Sequence, residues 1–180
     1  MALPDYAKLA QGTAVIWGEA GATGIGLTVT KTLTFEALAA GAARMGVYAD
    51  LGALWDQEYS LQLIIETGTA PTAGDACSVF LAWSFDTTNF SAGVTGADAA
   101  YAAGAVAATI KNLGVPRARV IATNNANTVL RGDIVSVRPR ARYVVPVVYN
   151  QWDAAIRDET TATDNDSRVV LMPIVQSIED

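Results

Sequence analysis

The side chains of this chain able to do acid–base or metal chemistry are mainly carboxylates, because it has no histidine and a single cysteine, Cys77. Lack of histidine removes the commonest general base and transition-metal ligand, and with them any Ser-His-Asp or Cys-His relay. One cysteine excludes an intrachain disulfide and a cysteine-rich zinc site. Asp56 and Glu58 stand two apart at the start of a strand pattern and therefore share a face. Glycoside hydrolysis needs two carboxylates about 5–10 Å apart across a cleft. Neighbours on a strand rim meet that distance with no cleft, so a solvated strand end is the simpler reading. Asp164-Asn165-Asp166 resembles part of a calcium loop but lacks its glycine and closing glutamate. Arg131-Gly132-Asp133 matches an adhesion tripeptide at a strand start, and Asn89-Phe90-Ser91 and Asn165-Asp166-Ser167 match glycosylation sequons that mean something only after export. GEAGATGIG, residues 18–26, has the glycine spacing of a phosphate loop, but a strand pattern follows where a helix is required. None of these stretches assembles a reacting centre. The expectation is a protein that is not an enzyme and has no catalytic residue, cofactor or metal.

Binding chemistry has better candidates. Trp17, Trp55, Trp83 and Trp152 offer stacking or packing surface; Trp152, at the end of a long apolar run, is the best placed for a subunit contact. Tyr143 and Tyr149 lie close to Arg138, Arg140 and Arg142. Net charge is −6, unevenly spread. Residues 1–112 carry four basic and ten acidic side chains, residues 113–152 six arginines and one aspartate, and the last 28 residues two arginines and seven acids. Overall acidity argues against nucleic acid as the main partner. A basic band between acidic ones suits complementary patches on neighbouring subunits. It equally suits arginines that guard sheet edges from stray pairing.

The elements that would carry these residues read as strands. In GLTVTKTLTF, Leu27, Val29, Leu33 and Phe35 alternate with four threonines, giving one apolar and one hydroxyl-lined face over 27–35. The same period marks Tyr59–Glu66 and Cys77–Phe85, and Cys77 falls on the apolar phase, as a buried thiol would. TAVIW (13–17), Met45–Ala49, Arg117–Thr123, Thr128–Val137, Arg142–Trp152 and Val169–Ile178 complete the set. Turn-rich stretches such as ETGTAPTAGDA and NNAN separate them. A short helix is expected near Asp98–Ala102, followed by extended chain. Pro146, inside an apolar strand, belongs at an edge or a bulge. Apolar content on both faces of that strand predicts the core on one side and a partner or arm on the other. No run is long and apolar enough to span a membrane, and MALPDYAKLAQG lacks the apolar core of a secretion signal. The fold expected is an all-β antiparallel sandwich or jelly roll of about eight or nine strands over residues 13–180, with an N-terminal arm at 1–12.

Two patches of sequence carry a resemblance. YSLQLIIETGTAPTAGDACSVFLAWSFDTTNFSAGVTGADAAY gives strand, turn, a strand ending in LAWS, and a G-x-x-G-A-D loop. ARYVVPVVYNQWDAAI and RVVLMPIVQSI then supply a VVxN strand (Val147, Val148, Asn150) and a terminal L-x-P-I strand (Leu171, Pro173, Ile174). The chain thus resembles the capsid decoration, or cement, proteins of tailed bacteriophages over about residues 58–178. The resemblance implies a jelly-roll domain, often a homotrimer, on the outer surface of the virion head. It would bind the major capsid protein and stabilise the shell, with no membrane partner. On this reading Tyr143, Val144, Val148 and Trp152 are expected in subunit contacts. Arg138, Arg140 and Arg142 are expected to meet acidic patches, and the N-terminal arm to lie over a neighbour. The alternative is a carbohydrate-binding or tail-associated phage module that uses exposed tryptophans such as Trp17 and Trp55.

Overall fold

The structure is a computed structural model that describes residues 14–22, 24–53, 55, 57–101, 106–157 and 166–174. The N-terminal arm, Asp56 and residues 158–165 lie outside the described residues. The described residues form twelve strand segments: β1 (Val15–Gly18), β2 (Lys31–Thr32), β3 (Ala43–Met45), β4 (Ala49–Asp50), β5 (Tyr59–Glu66), β6 (Ala76–Ser84), β7 (Ala99–Ala100), β8 (Ala118–Ile121), β9 (Val129–Arg131), β10 (Val135–Val137), β11 (Tyr143–Asn150) and β12 (Arg168–Pro173). They form two sheets. One runs β2-β1-β12-β5, with β9 and β10 both along the far side of β5; the other runs β7-β3-β11-β6-β8, with β4 beside β11.

Eight strands remain when the two-residue pieces are set aside and β9 and β10 are taken as one interrupted edge strand. The first then pairs with the last, the second with the seventh, the third with the sixth and the fourth with the fifth, all antiparallel. A hairpin ribbon rolled in this way is a jelly roll. The expected fold class is therefore the observed one, and the extra segments come from short pieces and one broken edge.

The strands alternate because one face of each sheet meets the other sheet. Tyr59, Leu61, Leu63 and Ile65 of β5, Cys77, Val79 and Leu81 of β6, Val144 and Val148 of β11, and Val169 and Leu171 of β12 fill the space between the sheets. Cys77 is fully buried there, and burial pushes its thiol pKa upward, as an inert core residue requires.

Three departures from the sequence reading are instructive. The apolar outer faces of β6 and β11 do not wait for a partner. Phe80, Ala82, Val145 and Val147 are roofed by Phe90, Val94, Tyr101 and Ile110, all from the connection between β6 and β8. Within that connection the order of helix and strand is reversed. Ala99–Ala100 is β7, laid against β3, and the helical turns come later, at Val106–Thr109 and Ile110–Leu113. Alanine content favours a helix at 98–102, but tertiary bonds override it. Asp98 accepts bonds from Arg44 Nε (2.7 Å) and the Thr34 amide (3.1 Å), and the Tyr101 amide donates to Ala43 (2.9 Å). Burial alone would raise the Asp98 carboxyl, yet its bonds from Arg44 and Thr34 hold it below the ordinary range.

The threonine-rich segment 27–35 is the third. Its alternation is real, but it pairs only at Lys31–Thr32, parallel to β1. Leu27 and Val29 lie on the outside of the first sheet against Ile16, Ile64 and Val170, whereas Leu33 and Phe35 enter the core. The segment rounds the sheet edge, held by the Ile16 amide on Thr30 Oγ1 (2.9 Å) and the Thr30 amide on the Ile16 carbonyl (2.8 Å).

Pro146 is at a break and not at an edge. β11 is central, and the Pro146 carbonyl accepts from Gly46 (3.0 Å). The side of Pro146 that lacks an N–H therefore faces the gap between β3 and β4, where no donor is required. Gly46 is closely packed: a Cβ there would lie 3.1–3.2 Å from Trp17, Leu33 and Pro146, which would have to give way slightly.

Candidate interface

Arg138, Arg140 and Arg142 sit on the loop from β10 to β11, which crosses from the edge of one sheet to the middle of the other. Arg-Pro-Arg-Ala-Arg keeps a two-residue period through this crossing. Pro139 and Ala141 are buried, and all three arginines are exposed. Proline fixes φ and alanine carries no flexible side chain, so the loop is anchored by its apolar positions while it displays charge at the others.

Arg142 is the most constrained of the three. Its Nε and Nη2 each lie 2.7 Å from the Asp50 carboxylate, a bidentate pair, and its guanidinium sits 5.3 Å from the Tyr143 ring centroid. The bond from Arg142 holds the Asp50 carboxyl below its ordinary range. Tyr143 meets Tyr48 edge to face at 6.0 Å, Tyr48 packs on Phe90 at 6.2 Å, and Lys31 Nζ lies 5.7 Å from the Tyr48 ring. Half-buried Tyr143 and Tyr48 with two cations form a preorganised surface strip. Tyrosine and arginine are enriched at interfaces because they bury large area for few rotatable bonds.

Three of the expected contact residues are elsewhere. Val144 and Val148 have no exposed surface and lie in the core between the sheets. Trp152 is 2% exposed, with its indole N–H on the Asp75 carbonyl (3.2 Å). These three have no surface to offer a partner. Strand parity explains it: Tyr143 points outward from β11, so Val144 and Val148 point inward. Trp17 is also buried, its indole N–H on the Val47 carbonyl (2.7 Å), which removes it as a stacking platform. Tyr149 is half-buried against the covered outer face of the second sheet.

One surface feature escaped the sequence reading. Phe85 is 77% exposed and meets Trp55 edge to face at 6.1 Å. It is held out by the turn after β6, where Asp86 accepts bonds from the Thr88 amide (2.8 Å), the Asn89 amide (2.7 Å) and Asn89 Nδ2 (2.9 Å). Those bonds, led by the Asn89 side chain, hold the Asp86 carboxyl well below the ordinary range. An Asp-x-Thr-Asn run is Asx-turn chemistry, and β6 ends at Ser84, so Phe85 belongs to the turn and leaves the core phase of the strand.

The adhesion tripeptide has a packing explanation. Gly132 donates its amide to Leu63 (2.9 Å) and accepts Gln62 Nε2 (3.0 Å), and any Cβ would collide with the Arg119 carbonyl of β8. Glycine is there because the edges of the two sheets touch. Of the carboxylate pair, Glu58 is exposed and accepts the Ser136 hydroxyl. Asp164 and Asn165 lie outside the described residues, and among the described residues no group of three metal-binding side chains is found. No helix among them is long and apolar enough to cross a membrane. Comparison with known protein families, with curated proteins and with solved structures finds no match.

Proposed function

We propose that this chain is a structural virion protein, a decoration or cement protein that binds the outer surface of a phage head through the major capsid protein and stabilises the shell. The observation that carries the reading is the Arg138–Tyr143 loop, with three arginines and a tyrosine displayed on a crossing that its buried proline and alanine anchor. Such a site suits a carboxylate-bearing protein surface. The resemblance of the VVxN and L-x-P-I strands supports the same class. Each contact is small, and repetition over a symmetric shell supplies the holding strength. Homotrimeric assembly goes with this reading, and neither nucleic acid nor a membrane is needed as a partner. A carbohydrate-binding or tail-associated module is the second reading; exposed Phe85 beside half-buried Trp55 favours it, and the burial of Trp17 weakens it.

The test is re-addition of purified chain to heads stripped of it. Reversing one exposed charge puts like charges in apposition, so Arg140→Glu is expected to weaken head occupancy by about tenfold. Its unfolding free energy should stay within about 0.5 kcal/mol of wild type, since Arg140 is a surface residue. Equal occupancy by the two proteins would count against the proposal.

A further inference from the structure

Half of the basic band of the sequence gathers in one place. β8 is an edge of one sheet, β9 and β10 form an edge of the other, and the two edges meet at Gly132 and Arg119. Arg119 on β8 and Arg131 on β9 are exposed along this seam, and Arg117 at the head of β8 is half-buried. None of the three makes an ion pair among the described residues; the salt bridges found there use Arg44, Arg142 and Arg157. Interspersed with them are three of the most exposed aliphatic side chains: Val115 (66%), Ile121 (52%) and Ile134 (69%).

We infer that this seam is where a second copy of the chain docks, by a contact that joins two different faces. The inference rests on the self-association part of the reading above and names its surface. Charge decides the occupant and the symmetry. Three arginines against Asp133 give the seam a net +2 on a chain of net −6, so the remainder of each copy carries −8. Seam against seam, as two-fold symmetry would place them, sets +2 against +2. Seam against the acidic remainder of a second copy is attractive, and a contact between unlike faces closes into rings such as a trimer. Exposed aliphatics among the arginines supply the apolar centre that a protein partner fills and a phosphate backbone does not. The arginines also discourage the free edges from extending into further strands, so docking is by side chains.

Sedimentation velocity on the full chain, read against concentration and salt, tests this. Wild type should self-associate at roughly 10–100 μM, as small interfaces do, and more weakly when salt is raised, because the seam charges are exposed. Arg119→Glu/Arg131→Glu should raise the dissociation constant by about tenfold or more. Ile134→Ser, which leaves the charges alone, should raise it less and keep the salt dependence. Unchanged circular dichroism and melting would show that each variant folds. An oligomer indifferent to all three substitutions would leave self-association standing and overturn the seam, and a closed two-fold dimer would overturn the unlike-face contact. Wild type monomeric at every concentration would overturn the inference together with the homotrimer. A monomer that instead retains a short DNA duplex through the same arginines would reassign the seam to a polyanion and overturn it as well.

Discussion

Trp152→Ala will melt the protein and will not act as an interface mutation. The indole is 2% exposed and packs in the core with Ile156, Leu38 and Cys77. It donates to the Asp75 carbonyl at 3.2 Å, which ties the β11 exit to the turn before β6. Truncating a buried tryptophan costs about 3–5 kcal/mol through lost transfer energy and the cavity left behind. For a chain of this size that is a fall of roughly 6–20 °C in melting temperature. Calorimetry on wild type and variant checks it. A variant with normal melting but lost self-association would return Trp152 to the surface role its place at the end of an apolar run suggested.

Asn150→Ala will cost about as much, for a different reason. The amide is fully buried and works as a clamp. Its Nδ2 donates to the carbonyls of Leu38 and Ala154 (both 2.9 Å), with Ala39 at 3.3 Å. Its Oδ1 accepts the Trp152 amide at 3.1 Å. Alanine leaves the Ala154 carbonyl and the Trp152 amide without this partner at about 1–3 kcal/mol each, while the Leu38 and Ala39 carbonyls keep the Ile156 and Ala42 amides, so a loss of about 2–6 kcal/mol is expected in chemical denaturation. Asn150→Asp keeps the shape and the acceptor but loses the donors, and should be at least as damaging at neutral pH. A loss below 1 kcal/mol for the alanine variant would mean that the clamp is not needed. Because Asn150 and Trp152 share a hydrogen bond, the double variant should lose less than the sum of the two.

Asn150 also shows what a sequence pattern can carry. The VVxN pattern singled it out by resemblance, and in the structure it is a joint that fixes how β11 leaves the sheet. Strand periodicity was legible where one face is buried and the other partly wet: β5 lies where alternation put it. It misled where both faces are apolar. Nothing in Tyr143–Asn150 says whether the second face meets a partner or the chain's own 90–110 connection, since burial by either looks the same in composition. Parity within a strand decides the rest: once Tyr143 is outside, Val144 and Val148 must be inside. Short alanine-rich runs are decided by tertiary bonds, here those of Asp98 and Tyr101, which no local propensity encodes. The seam was half visible. The count of six arginines and one aspartate over 113–152 marks a basic band, but only the jelly-roll pairing brings β8 and β9 side by side.

The central claim is that this jelly roll works by adhesion in many copies on the outside of a virion head. Mass spectrometry of purified particles, with separated heads and tails and a limited-protease treatment of intact heads, tests it most directly. The chain is expected on heads, in copy number comparable to the major capsid protein, and accessible from outside. Absence from particles, or presence in a few copies on tails alone, would contradict it.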